Sequence, residues 1–183
     1  QALKLDREFG EAHNALGRAL LKQDRAKEAL DAYDRALRST PGMISALMNR
    51  SQALQQLGRT DLAIQDLQRV TRLQPRNAVA HYEMGRLHGG ELDYVEAEAC
   101  YRKAIDYGMR TASILALLAH TLLDLGKDEE ALSYFSRALE MEPESPSLNF
   151  ELAKVHQTIG NFEQAETFFS KAIALEPECG EYY

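Results

Sequence analysis

Tryptophan is absent from the 183 residues, cysteine occurs only twice, and proline and glycine are few, at five and eleven. The two cysteines, Cys100 and Cys179, lie far apart and belong to no CxxC pair. The spacing signature of a metal knuckle or a redox dithiol is therefore missing. Both read as ordinary thiols, compatible with a reducing compartment such as the cytoplasm, which the sequence otherwise leaves open. No run of 18 apolar residues occurs, so no stretch reads as a helix inserted across a membrane. Positive charge is in deficit, with 21 basic residues against 28 acidic ones and a net charge of −7. That balance disfavours a nucleic-acid partner, because phosphate-backbone binders carry a basic stripe. What the chain does have is 45% hydrophobic residues, ample for a packed interior and too many for a disordered chain. Its length suits one or two ordinary domains. It opens on Gln1 with no charged-then-apolar leader behind it, and is expected to be a segment of a longer chain.

The few prolines are informative by position. Pro41, Pro75, Pro143 and Pro177 are separated by 34, 68 and 34 residues, a period of 34 with one proline replaced by Met109. Other columns fall on the same ruler. Ala29, Ala63, Ala97, Ala131 and Ala165 share one phase, and Gly17, Ser51, Gly85, Ala119 and Ala153 another that is always small. Tyr33, Leu67, Tyr101, Phe135 and Phe169 are always large, and Ala36, Val70, Ala104, Ala138 and Ala172 are small again. Small residues on two antiparallel helices let the backbones approach, and the large column fills the groove beside them. Proline, lacking an N–H, punctuates the end of each unit.

Within a unit, apolar residues recur at helical spacing, as in Leu118, Leu122 and Leu125 or Ala29, Leu30, Tyr33, Ala36 and Leu37. Gly58, Gly126 and Gly160 mark the turn between two helices, where a left-handed residue suits a helix end. Arg35, Arg69, Lys103, Arg137 and Lys171 sit late in each second helix and complement its dipole; they read as a solvated structural column. Gly89-Gly90 is irregular, costs about 1–2 kcal/mol of helix stability, and reads as an early helix end, with a local flex point as the sharper alternative.

This pattern resembles the tetratricopeptide repeat (TPR) family, whose unit is a 34-residue helix–turn–helix with small, aromatic and proline columns. The resemblance implies an all-α fold, a right-handed α-solenoid of antiparallel helix pairs (the TPR superhelix), as a single array over residues 1–183. Five full units are expected at 10–43, 44–77, 78–111, 112–145 and 146–179, with partial units at 1–9 and 180–183. Two departures from the family pattern stand out. The bulky first-helix column holds His13, Leu47, His81, Leu115 and Asn149, and Arg50 stands where Leu16, Leu118 and Leu152 stand; both are expected to loosen local packing. The pentatricopeptide repeat, an RNA reader of period 35, is disfavoured by the unslipped 34 and the acidic balance.

In TPR proteins the first helices line a concave surface that binds peptides. Carrying the family's groove positions over gives a candidate peptide-binding groove of Asn14, Arg18, Met48, Asn49, Gln52, Tyr82, Arg86, His120, Phe150 and Lys154. Arg18, Gln52, Arg86, His120 and Lys154 share one phase, and Met48, Tyr82 and Phe150 lie one helical turn earlier. Basic and amide donors beside apolar anchors suit a protein or peptide ligand with acidic and hydrophobic side chains. The opposing expectation is that Glu83–Arg86 and Glu151–Lys154 merely pair with each other. The carboxylate clamp of some TPR proteins does not transfer: its positions hold Asn14, Arg18, Asn49, Val79 and Glu83, of which only Asn49 fits. An asparagine ladder fails as well, at Ala15, Asn49, Glu83, Leu117 and Glu151.

No catalytic, cofactor or metal set is expected. His81 and His88 lack the HExxH arrangement, and His13, His81, His88 and His156 occupy packing columns. The leading expectation is a protein–protein interaction scaffold. The alternative is a non-catalytic TPR arm, regulatory or substrate-recruiting, of a larger enzyme such as a glycosyl- or sulfo-transferase. A third is self-association through the repeat ends.

Overall fold

In a computed structural model, the structure describes residues 2–176, with side chains from residue 9 onward. Pro177, Cys179 and the expected partial unit 180–183 lie outside the described residues. Ten helices follow one another among the described residues, with no strand. They are α1 (Ala2–Leu21), α2 (Ala26–Ser39), α3 (Ile44–Gln56), α4 (Thr60–Leu73), α5 (Ala78–Gly90), α6 (Tyr94–Asp106), α7 (Ala112–Asp124), α8 (Asp128–Met141), α9 (Pro146–Thr158) and α10 (Phe162–Leu175). The chain divides into two compact units, Gln1–Leu87 and His88–Tyr183, the division falling in the last turn of α5. In the first unit α1 packs on α2, α2 on α3 and α3 on α4; in the second the same succession runs from α6 to α10. The fold is all-α, built of antiparallel helix pairs.

The sequence columns account for this packing. The alanines at 29, 63, 97, 131 and 165 are buried, as are Tyr33, Leu67, Tyr101 and Phe135. Each turn inside a pair closes with the same bond: the N–H of Arg25, Arg59, Asp93, Lys127 and Asn161 donates to the carbonyl of Leu20, Leu54, His88, Leu122 and His156. This six-to-one closure needs a left-handed residue just before the donor. Gly58, Gly126 and Gly160 supply it with φ of 69°, 69° and 82°, while Asp24 and Leu92 adopt it at 58° and 65°.

The third turn corrects the reading of Gly89-Gly90. The helix α5 does not end early; it runs through both glycines to Gly90, in step with Gln56, Asp124 and Thr158. The recurring turn fixes the stop, and two glycines do not outweigh it. Leu92 then takes the conformation that glycine holds elsewhere, at a cost of about 1–2 kcal/mol for an L side chain. Since Leu92 is 67% exposed, little packing offsets that cost. Leu92→Gly is expected to stabilise the protein by about 1 kcal/mol, read as a higher denaturant midpoint; a lower midpoint would contradict the strain.

The missing proline at Met109 has its own substitute. The helix α6 stops one residue short of the pattern, and Gly108, with φ of 102°, turns the chain there. Asn77, Thr111 and Ser145 cap α5, α7 and α9, their side chains accepting from the N–H of Ala80, Ile114 and Leu148.

Arg50 also departs from expectation. It does not loosen the packing; its guanidinium forks onto Asp66, with Nε to Oδ2 at 2.7 Å and Nη2 to Oδ1 at 2.6 Å, and reaches Asp34 through Nη1. Asp66 is all but buried, and Asp34 is partly solvated. Hydrogen bonding to the Asp66 carboxylate, set against the burial of the guanidinium, holds the Arg50 pKa above its ordinary value. One side chain thus braces α3 against both α2 and α4. In the second unit Glu98 plays the converse part, accepting from Arg102 and Lys127. Burial pushes its carboxyl up, but the two cations prevail and hold it below the usual range.

Candidate functional site

Five of the ten predicted groove residues, Arg18, Met48, Asn49, Gln52 and Arg86, line clefts between the first helices α1, α3 and α5 of the first unit. Met48, Asn49, Gln52 and Arg86 surround a cleft of about 220 Å³ between α3 and α5, joined by Gln55, Glu83 and Leu87. Arg18, Asn49 and Gln52 line a second cleft of about 290 Å³ between α1 and α3, with Leu21, Lys22, Tyr33 and Gln56. Asn49 and Gln52 belong to both clefts, so the two adjoin along α3.

Asn14 is placed differently from expectation. It is buried, donates to Ser45 Oγ at 3.2 Å and accepts from Asn49 Nδ2 at 2.9 Å. With both ends of its amide engaged, it ties α1 to α3 and fixes the direction of Asn49; it is a positioning residue. The side-chain oxygen Oδ1 of Asn49, by contrast, accepts no hydrogen bond among the described residues. Gln52 is exposed, and Met48 and Asn49 are half-buried.

The paired charges foreseen as the opposing case are present. Arg86 Nη1 lies 3.2 Å from Glu83 and its guanidinium 6.0 Å from the Tyr82 ring. In the second unit Lys154 Nζ lies 3.2 Å from Glu151 and 5.5 Å from the centroid of Phe150. Exposed pairs of this kind contribute less than about 1 kcal/mol and still leave the cation on the surface, over an aromatic ring. Phe150 packs edge-on against Phe169 at 5.6 Å, and His120, exposed on α7, packs edge-on against Phe135 at 5.0 Å. These three second-unit residues sit on α7 and α9, the first helices of that unit.

The histidines follow their packing columns. His81 is buried with Nε2 at 3.0 Å from the Pro75 carbonyl, and His156 stacks on Phe168 at 5.5 Å. Burial pushes the Cys100 thiol up, which keeps it protonated and unreactive.

Family models described as tetratricopeptide repeat match residues 16–90, 82–146 and 122–183. The chain belongs to the tetratricopeptide-repeat family. Among curated relatives, the TPR and J domain-containing co-chaperone DNJ1 of Fusarium oxysporum is 31% identical over 135 residues, or 70% of this chain. The chain spans about a quarter of that relative's length, the match covering 26% of it. Among solved structures, MamA from Desulfovibrio magneticus RS-1 superposes with a TM-score of 0.85 at 19% identity, covering 93% of this chain and 97% of its own. YrrB, described as a TPR protein with an unusual peptide-binding site, gives 0.83 at 19% identity, covering 97% of this chain and 91% of its own. PilF of Pseudomonas aeruginosa gives 0.77 at 19%, covering all of this chain and 82% of its own.

The TPR positions read from sequence include five of the residues that line these two clefts but not the rest of the lining. Gln55 and Gln56 lie beyond the family's groove positions, on the last turn of α3. Tyr33 was absorbed into the large packing column, where nothing but its hydroxyl distinguishes it from Leu67 or Phe135.

Proposed function

We propose that this chain is a protein-interaction scaffold that holds a peptide or protein segment along its first-helix faces and performs no chemistry of its own. The observation that carries this reading is the pair of adjoining clefts on α1, α3 and α5, lined by amides and cations with Met48 and Leu87 as apolar contacts. Side-chain amides pair with an extended peptide backbone, and the half-buried Met48 and Tyr82 offer anchor surface. In the first unit the binding face comprises Arg18, Met48, Asn49, Gln52, Tyr82 and Arg86, with Asn14 orienting Asn49; in the second unit His120, Phe150 and Lys154 are the corresponding first-helix residues. The array reads as five full TPR units at 10–43, 44–77, 78–111, 112–145 and 146–179. The co-chaperone relative and the peptide-binding site ascribed to YrrB favour the same reading.

The test is a peptide selected from a displayed library against the wild-type chain and titrated against a variant carrying Tyr82→Ala, Arg86→Ala and Phe150→Ala. Affinity is expected to fall about tenfold or more, the loss of one or two desolvated anchors, while helical circular dichroism is retained. Undiminished binding by the variant would place the ligand elsewhere.

A further inference from the structure

The second helices of the first unit have a cleft of their own, which shares no lining residue with the two clefts on α1, α3 and α5. It measures about 200 Å³ and lies between α2 and α4. Leu30, Leu54 and Leu62 supply its apolar lining, and the Arg50–Asp66 pair belongs to its wall. Leu54 is buried, whereas Leu62 is 45% exposed. The sequence marks that leucine as a departure, because the other four second helices carry Glu28, Glu96, Glu130 and Gln164 in its column. An apolar side chain has replaced a solvated one where the cleft opens.

That replacement also frees a charge. In the preceding pair Arg25 forks onto Glu28, three residues on, at 2.7 and 2.6 Å, and in the fourth pair Lys127 donates to Glu98 at 2.7 Å. Arg59 occupies the same column, but Leu62 stands where Arg25 finds its glutamate. Arg59 is exposed, lines the cleft, and forms no ion pair among the described residues. Further along the cleft the charge is opposite. Asp66 commits both oxygens to Arg50, and Asp34 commits only Oδ1. One cation between two carboxylates leaves a negative excess, which Asp34, with 44% of its side chain exposed, carries to the surface. Since α2 and α4 are equivalent helices, Arg59 stands at the level of Arg25, nine residues before Asp34 and roughly 13 Å from it along the axis. A cation and an anion thus bracket three leucines.

We propose that the α2–α4 cleft is a docking site, apart from the first-helix face, for an amphipathic helix of a partner protein that sets one apolar side chain between an acid and a base. The apolar side chain enters among Leu30, Leu54 and Leu62, the acid meets Arg59, and the base meets Asp34. A helix suits the site because the ridges of two neighbouring helices leave a groove that accepts a third. Its residues i, i+4 and i+8 share one face and span about 12 Å, close to the separation of the two charges. Two copies of this chain facing one another would also pair Arg59 with Asp34, but would set cleft against cleft and leave both unfilled. Shape therefore favours a protruding partner over a second copy.

A displayed library of short helices rich in Ala and Gln tests it, with a central leucine fixed and the positions four before and four after it randomised. Selection is on the full chain, against an excess of soluble Leu62→Glu protein. Glutamate is the residue of the sister helices, so this variant keeps the fold, removes the apolar contact and gives Arg59 the partner that Arg25 has. Winning helices are expected to carry an acid on one side of the leucine and a base on the other, in either order because a helix can lie either way. They are expected to bind wild type about tenfold or more tightly than Leu62→Glu. Arg59→Gln is expected to weaken them about threefold, the worth of an exposed ion pair, and Arg59→Glu to shift selection toward helices with a base on both sides. The protein carrying Tyr82→Ala, Arg86→Ala and Phe150→Ala is expected to bind them unchanged, which separates the fate of this site from that of the first-helix face. The proposal is overturned if no helix distinguishes wild type from Leu62→Glu, or if the winners lack opposed charges. Light scattering that shows a dimer dissolved by Leu62→Glu would overturn it too, by making a second copy the occupant.

Discussion

Arg50→Leu is expected to destabilise the first unit by about 3–5 kcal/mol, the cost of removing one partner of a buried ion pair. On sequence grounds the substitution is benign, since it installs the leucine found at positions 16, 118 and 152. The structure reverses that expectation. Asp66 has 3% of its side chain exposed and takes both of its short bonds from Arg50, so leucine would strand a carboxylate out of reach of water. Asp34 is 44% exposed and would simply be solvated. The double variant Arg50→Leu, Asp66→Ala copies the Leu16/Ala32 pair of the preceding helices and is expected to recover most of the loss, because an apolar replacement for both partners is often neutral. Urea denaturation followed by circular dichroism measures both. If the single variant loses less than about 1 kcal/mol, the ion pair is a surface ornament; if the double variant fails to recover, the loss came from packing and not from the stranded charge.

This cluster also bears on binding. The α3 helix carries Met48, Asn49 and Gln52 on one side and Arg50 on the other, so the same helix is braced at its back by Asp34 and Asp66 and reads a ligand at its front. Loosening α3 would blur the clefts without removing a single residue that lines them.

The legibility of the sequence follows from how local each interaction is. The alanine and large columns repeat on every pass of 34 residues, and the turn glycine on three of the five, because each unit solves the same packing problem, so alignment of the chain with itself reveals them. The Arg50–Asp66–Asp34 cluster occurs once. Read down its columns it is two separate defects, Arg50 among leucines and Asp66 among Ala32, Cys100, Tyr134 and Phe168; only the pairing of α3 with α4 shows that each corrects the other. Gly89-Gly90 misled for the opposite reason. Weak local propensity suggested an end, while a turn shared by all five pairs fixed it at Gly90, beyond both glycines. The hydroxyl of Tyr33, buried without a hydrogen-bond partner, was illegible because its ring satisfies the packing column, and one polar atom leaves no trace in a pattern of sizes.

A trace does exist one column away. Tyrosine occupies the large column twice, at Tyr33 and Tyr101, and each is matched by glycine in the small column, Gly17 and Gly85, whereas Leu67, Phe135 and Phe169 are matched by Ser51, Ala119 and Ala153. At Gly17 the reason is steric. Gly17→Ala would gain about 1 kcal/mol of helix propensity, but its Cβ would lie 2.5, 2.7 and 2.8 Å from three carbons of the Tyr33 ring. That ring is 0% exposed and clusters with Leu20, Leu21, Ala29 and Ala53, so it has no open side to retreat into. Overpacking is expected to win, with a net loss of about 1–3 kcal/mol read from the denaturant midpoint. Gly17→Ser combined with Tyr33→Leu reproduces the buried Ser51 and Leu67 of the next pair and is expected to regain most of that stability. A Gly17→Ala protein as stable as wild type would mean that the ring has room to move, and the pairing of tyrosine with glycine in these two columns would then have another cause.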